Sequence, residues 1–230
     1  SKPKEKNALH LHFTMDDNPA LPPRIRKRYE SMYSGVFYDR YIRGSWVAAE
    51  GLVYPIFDRN EHTFDTPTIR GPEYISIDYG TSNPTAMGLW VLGRGEAEMI
   101  KEYYYSGREA RRQKTDEEYY RDLEEFAEGH RIDRVIVDPS AASFIECIRR
   151  HGRFDVLKAD NNVLDGIRLT GALLQAGKLR FHKSCTNTFQ EFGAYVWDEK
   201  STTDAVIKEN DHAMDMIRYF VQTVMRKEIR

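Results

Sequence analysis

Apolar and polar positions alternate most cleanly at Tyr74-Ile-Ser-Ile-Asp78, which reads as a strand running into the turn Gly80-Thr-Ser-Asn-Pro84. Thr85 to Leu92 and Glu96 to Tyr105 read as two further strands, and the short links predict an antiparallel meander of three. The period then changes. Thr115-Asp-Glu-Glu118 opens a helix with a capping-box pattern, and the helix is predicted to run to about Glu128. Arg134-Val-Ile-Val-Asp138 is a compact apolar strand suited to the centre of a sheet. A helix follows from Pro139-Ser140, with Phe144, Ile145 and Ile148 as its apolar stripe and Gly152 as its stop. Asp155 to Lys158 reads as a strand, and Val163 to Ala176 as a helix ended by Gly177. A hairpin is expected from Ala194 to Lys208, turning near Ser201-Thr-Thr203. The last helix spans about Asp211 to Met225, with Met214, Ile217, Val221 and Val224 as its buried stripe. Three strands, then strands alternating with helices, predict an α/β fold with a central mixed sheet flanked by helices.

Residues 1 to 68 follow a different pattern. Pro and aromatic residues are frequent, and long periodic segments are rare. Pro22-Pro23 leads into a short predicted helix over RIRKRYESMY, and the stretch from Ser34 to Asp58 mixes aromatic and aliphatic residues without a clean period. This part reads as a connector arm, and residues 69–230 as the domain.

A chain of 230 residues holds one good-sized domain with an extension. No apolar run approaches the roughly 18 residues needed to cross a bilayer, and the N-terminal SKPKEKNALHLHF has no signal-peptide core. The chain begins with Ser rather than Met, as a piece of something longer would. Cys147 and Cys185 give neither a disulfide framework nor a metal spacing, and read as reduced thiols of a cytosolic protein. The net charge of −2 does not point to nucleic acid. Basic residues nevertheless cluster at Arg24–Arg28, at Arg108, Arg111, Arg112 and Lys114, and at Arg226–Arg230. Each cluster is either solvated surface or part of a basic groove whose charge an acidic site offsets.

Asp78 and Asp138 each end an apolar strand, at the position where sites form in open α/β sheets. Two acids on neighbouring strands repel unless a cation lies between them, and magnesium and manganese favour such oxygen ligands. Asp215, on the edge of the last helix's stripe, supplies a third acid, and His212 shares its face. Three carboxylates on two strands and a helix suit two-metal phosphodiester hydrolysis. Structural roles stand beside these. Asp78 could open a turn, Asp138 could cap a strand end or helix, and Asp211 reads as a helix cap before a ligand. His212 could be an ordinary hydrogen-bonded histidine, and Asp215 could pair with Arg218.

The blocks Ile77-Asp78-Tyr79-Gly80-Thr81-Ser82-Asn83-Pro84-Thr85, Val135-Ile-Val-Asp138-Pro-Ser140 and Asp211-His212-Ala-Met-Asp215-Met-Ile-Arg218-Tyr219 together resemble large terminase subunits of tailed phages, in their order and separation. Gly35 to Phe57 resembles the segment that joins the packaging ATPase to the nuclease in that family. The resemblance implies a ribonuclease-H-like nuclease domain over 69–230, preceded by a connector, with a hairpin at Tyr195–Lys208. It implies metal ligands at Asp78, Asp138 and Asp215, an accessory role for His212, and two magnesium or manganese ions. The implied activity is cutting concatemeric viral double-stranded DNA during genome packaging, with little sequence preference. Arg108, Arg111, Arg112, Lys114, Lys158 and Lys208 are the expected phosphate contacts. The implied partners are the ATPase domain, the small terminase subunit and the portal, in the host cytoplasm and without a membrane. The isolated domain is expected to be a monomer. No GxxxxGK[ST] loop occurs in the chain, so ATP hydrolysis is not expected of it.

Three other readings compete. Asp78-Tyr-Gly-Thr81 resembles the first phosphate loop of actin and sugar-kinase proteins, but Pro-Ser-Ala-Ala after Asp138 is not their second. Another nuclease of the same superfamily, a resolvase or transposase, would share the acids and leave the connector unexplained. A binding module that kept the fold would have no need of all three acids.

Overall fold

The computed structural model describes residues 13–33, 35–45, 49–201 and 203–227. In chain order the helices are α1 (Pro23–Glu30), α2 (Gly35–Tyr41), α3 (Arg59–His62), α4 (Asp116–Phe126), α5 (Ala142–His151), α6 (Val163–Gln175), α7 (Thr186–Phe192) and α8 (His212–Thr223). The strands are β1 (Thr63–Phe64), β2 (Glu73–Asp78), β3 (Thr85–Gly93), β4 (Glu96–Tyr105), β5 (Ile132–Val137), β6 (Val156–Lys158) and β7 (Leu179–His182). They form one mixed sheet in the order β1-β7-β4-β3-β2-β5-β6. The predicted meander is present as antiparallel β2, β3 and β4, while β5 runs parallel to β2 and β6 parallel to β5.

The two-residue period of the strands sorts their side chains into two cores. Ile75 and Ile77 of β2, Met87 and Leu89 of β3, and Val135 and Val137 of β5 face α4 and α5. On the other face, Trp90, Leu92 and Ile136 join the buried side chains of α6, α7 and α8. Asp78 and Asp138 are in step with this second set, so sequence parity alone directs both acids to the α8 side of the sheet. A bulge in β4 at Ile100, between the pairs Leu89–Lys101 and Trp90–Met99, reverses the parity of that strand. Beyond it, Glu102 and Tyr104 turn towards α7 and α8.

Helix α8 lies close against the sheet. A Cβ on Gly88 would collide with the sulfurs of Met216 and Met99, so the missing side chain is what lets α8 approach β3. Every residue of α8 from Ala213 to Gln222 is buried. The expected one-sided stripe is therefore corrected: packed between the sheet, α6 and α7, the helix has almost no solvent face. The expected hairpin is also reduced. Residues 194–208 form a loop whose two sides meet at the single bridge Trp197–Val206, with backbone hydrogen bonds at Asp198 and Ile207, while Val196 bridges to Leu52. Its turn residue Thr202 lies outside the described residues.

Helix α5 starts at Ala142 rather than at Pro139-Ser140, because Asp138 holds those residues in a turn: its carboxylate accepts from Ser140 N at 3.0 Å and Ser140 Oγ at 2.6 Å. Helix α4 has the expected capping box, with Thr115 and Glu118 bonding each other's backbone N–H at 2.9 and 3.3 Å. Five elements carried no readable pattern: α2, α3 and β1 before residue 69, and the short strand β7 and helix α7 after it.

The segment before residue 69 packs onto the α8-side core through Phe37, Val53 and Tyr54, and Phe57 stacks on Phe192 at 3.9 Å. Strand β1 adds to the sheet edge beside β7. Residues 1–12, Ser34 and 46–48 of the predicted connector, and 228–230 of the C-terminal basic cluster, lie outside the described residues. No helix among the described residues is long and apolar enough to cross a membrane.

Candidate metal centre and cleft

At the carboxyl ends of β2 and β5, a cleft of about 700 Å³ opens between the strand ends, the Gly80–Pro84 turn, the Ser106–Glu109 loop and the start of α8. Asp78, Asp138, Asp211, His212 and Asp215 all line it. The strands bring the first two acids side by side: Ile77 pairs with Val137, and Asp138 N donates to the Ile77 carbonyl at 3.2 Å. Gly80 lets the turn fold back, since a Cβ there would collide with the carbonyls of Asn83 and Pro84. Thr85 Oγ1 closes the turn, donating to Gly80 O at 2.9 Å and accepting from Gly80 N at 3.1 Å.

Helix α8 reaches the cleft through contacts made far from it in sequence. Its N-cap residue, Asp211, makes no capping bond with its side chain. Glu191 of α7 does that work instead, accepting from Ala213 N at 2.6 Å and Met214 N at 3.2 Å while Tyr104 OH donates at 2.7 Å. A carboxylate here also meets the positive end of the helix. Helix α7 is capped in the same way. Glu102 of β4 accepts from Asn187 N and Nδ2, both at 3.0 Å, and from Thr188 N and Oγ1 at 2.7 and 2.6 Å. A strand thus holds α7, α7 holds α8, and α8 presents His212 and Asp215. Burial pushes the Glu191 carboxyl up to about 7, against the pull of its donors.

The cleft acids are held much less fully. His212 Nδ1 lies 3.0 Å from Asp78 Oδ2. Burial pushes the Asp78 carboxyl up to about 6; its hydrogen bond to His212 opposes this, and Asp215 and Asp138 add repulsion. On the histidine, burial works downward but is outweighed by Asp78, so His212 ends above its ordinary value. Asp215 pairs with Arg218 at 2.9 Å, the structural partner foreseen for it, and Lys208 Nζ lies 3.5 Å from its other oxygen. Asp211 is 3.4 Å from the same lysine. The expected cap role of Asp211 is corrected to that extent: it occupies the cap position but turns its carboxylate to the cleft. Asp138 and Asp215 therefore each keep a local partner and still line the cleft.

Among the described residues, the cleft acids and His212 do not bring three ligand atoms within 4.8 Å of one another. Each is drawn towards its own partner and away from like charge. The donor set is nonetheless that of a hard divalent cation: carboxylate oxygens, crowded and with few protein donors.

Of the basic residues, Arg108 and Lys208 line the cleft. Arg111 is exposed on the same loop, in a left-handed conformation with φ of 52°. Arg112 is engaged by Glu118. Lys114 is turned inward, 2.6 Å from Asp122 and 4.2 Å above the Tyr105 ring. Lys158 is exposed at the end of β6, outside the cleft lining. Sequence reasoning missed Glu102 and Glu191, whose partners lie 85 or more and 22 or more residues away.

No family model matches the chain. The large terminase from a thermophilic bacteriophage, solved in complex with ADP, is 49% identical, superposes with a TM-score of 0.88, and is covered over 56% of its length by 94% of this chain. The terminase large subunit of Escherichia phage T5 is 23% identical over 96% of this chain and 52% of its own length. The chain thus spans about half the length of these relatives. A large terminase nuclease from thermophilic phage G20c, solved with bound cobalt, shares the fold, with a TM-score of 0.56, 11% identity, and coverage of 76% of this chain and 99% of its own.

Proposed function

Because the chain is related over nearly its whole length to part of the large terminase subunits of tailed phages, and folds like their ribonuclease-H-like nuclease domains, we propose that it is a metal-dependent endonuclease that cuts double-stranded viral DNA during packaging. The observation that carries the reading is the convergence of Asp78, Asp138 and Asp215 on one cleft, with Asp78 raised to about 6 by burial and by its acidic neighbours. Such a site stores repulsion that a cation relieves.

Asp78, Asp138 and Asp215 would hold magnesium or manganese, and three carboxylates from two strand ends and a helix suit two ions. Bound there, divalent cations would supply activation of a water and stabilisation of charge on the leaving oxygen. The protein's own residues do the rest. Asp78 orients His212 through Nδ1, leaving Nε2 to hold or pass a proton. Arg218 fixes the rotamer of Asp215. Lys208 and Arg108 supply positive charge to a phosphate backbone without reading bases. Lys208 bridges Asp211 and Asp215 and exchanges those partners for phosphate when DNA arrives. Residues 1–68 are the connector from an ATPase half, and residues 69–230 the nuclease domain. Through the relatives' role, the partners are the ATPase half, the small terminase subunit and the portal, in the host cytoplasm.

The test is supercoiled plasmid incubated with manganese, with magnesium or with a chelator, alongside Asp138→Asn. Metal-dependent nicking and linearisation that vanish in the variant are expected. Intact plasmid with folded protein and metal would overturn the reading for this chain. Equal cutting of linear and branched DNA separates it from a junction resolvase.

A further inference from the structure

On the far side of the sheet from the cleft, a second group of ligating side chains comes together with different chemistry. Cys147 and His151 stand four residues apart on α5 and so share a face, and Glu117, in the first turn of α4, reaches across to both. The Cys147 thiol is 3.5 Å from Glu117 Oε1, and His151 Nε2 is 2.8 Å from Glu117 Oε2. All three ligand atoms lie within 4.8 Å of one another, and no other His, Cys, Asp or Glu set among the described residues does so.

We propose that Glu117, Cys147 and His151 form a zinc-class metal site that clamps α4 to α5. Thiolate, imidazole and carboxylate are the three ligand types zinc takes, with bonds of about 2.0 to 2.3 Å. Around a tetrahedral ion those bonds separate ligands by roughly 3.3 to 3.8 Å, so two side chains need only small rotations. Both can make them: the side chains of Glu117 and His151 are 53% and 40% exposed. The third ligand is fixed, since Cys147 is fully buried beside Phe144 and Ile148. Tyr120 stacks on the His151 ring at 3.8 Å and holds its plane. A soft thiolate selects against magnesium and manganese, so this site and the cleft sort different ions.

Glu117 is where the three groups meet: it pairs with His151, accepts from the buried Cys147 thiol, and has Arg150 at 3.8 Å, which gives way when a cation takes the carboxylate. Burial and the Glu117 charge push the Cys147 thiol up to about 11. A bound cation reverses that direction, because it favours the thiolate and releases its proton on binding. With three protein ligands, the fourth position is left to water.

Cobalt(II) titrated into the metal-stripped chain gives the sharpest test, because only two cysteines exist and Cys185 is buried in the other core. One equivalent is expected to produce a thiolate-to-cobalt charge-transfer band that zinc abolishes. The band should persist in Cys185→Ser and in Asp138→Asn, and vanish in Cys147→Ser. His151→Ala alters an exposed side chain and keeps the test open if Cys147→Ser misfolds; it should weaken zinc binding more than about tenfold in competition with a chromophoric chelator. Folded wild-type protein without the band, a band that survives loss of Cys147, or zinc affinity unchanged in His151→Ala, would overturn the proposal. A band in a protein that fails to cut plasmid would leave the metal site standing and sink the nuclease reading alone.

Discussion

The molecule holds two sets of three buried or half-buried acids, on the sheet and the helices packed against it, and they are treated in opposite ways. Glu98, Glu102 and Glu191 are saturated with donors. Glu98 alone accepts from Thr68 N and Oγ1, from Ile69 N and from Arg180, at 2.6 to 3.0 Å. Asp78 has His212, Asp138 has only its own turn, and Asp215 shares Arg218 and Lys208. The glutamates are glue: each accepts three or four hydrogen bonds, whereas no cleft aspartate accepts more than two from the described residues. The aspartates are crowded and under-satisfied, the condition in which a cation binds. Donor saturation, more than burial, separates the structural glutamates from the aspartates proposed as metal ligands.

The largest effect should come from the under-satisfied set. Asp138→Asn or Asp215→Asn is expected to reduce metal-dependent plasmid cleavage at least a hundredfold, about the upper range for loss of a partner behind a ligand, while circular dichroism stays native. Near-normal cleavage would merge the two sets.

Next comes Glu191→Ala. It leaves two buried N–H groups and the Tyr104 hydroxyl unpaired, so unfolding free energy should fall by about 3 kcal/mol. Glu191→Gln, which keeps an acceptor, should cost less than half of that in a urea titration. Equal losses would show that charge, rather than hydrogen bonding, holds α8.

Asp78→Asn should act in the opposite direction on stability. The folded protein binds the Asp78 proton up to about 6, well above the unfolded value of 3.8, so the native state loses stability as pH rises between these two values. The variant should therefore be more stable than wild type above pH 6, by up to about 3 kcal/mol, and equal to it below about pH 4. Its cleavage should be lost at every pH. In wild type, metal affinity should fall as pH drops through about 6, where Asp78 of the metal-free protein takes its proton and competes with the cation. The smallest effect is expected for Glu102→Gln, about 1 kcal/mol from a weakened cap on α7.

How much of this the sequence disclosed follows the same division. Strands β2 to β6 and helices α4, α5, α6 and α8 were legible because each carries its own period, and α4 also its own cap, in local sequence. The cleft acids were legible because Asp78 ends and Asp138 follows such a strand, and Asp215 sits beside the apolar stripe of α8. Helix α7 was not: seven residues, TNTFQEF, show too little periodicity, and its cap comes from Glu102 on β4. Strand β7 has four residues and takes its place by pairing with β4 and β1. The buried stripe of α8 was read too narrowly, because burial on all sides depends on what packs there. Lys114 looked like a phosphate contact by its neighbours in sequence, but Asp122, on the facing turn of α4, claims it.

The contrast between the two acid sets is tested most directly by calorimetric titration of manganese into the wild-type chain and five single variants. Binding should weaken more than about tenfold in Asp78→Asn, Asp138→Asn and Asp215→Asn, and remain within about twofold of wild type in Glu98→Gln and Glu102→Gln. Manganese affinity indifferent to the cleft aspartates, or lost equally with the glutamates, would contradict the division between functional and structural acids.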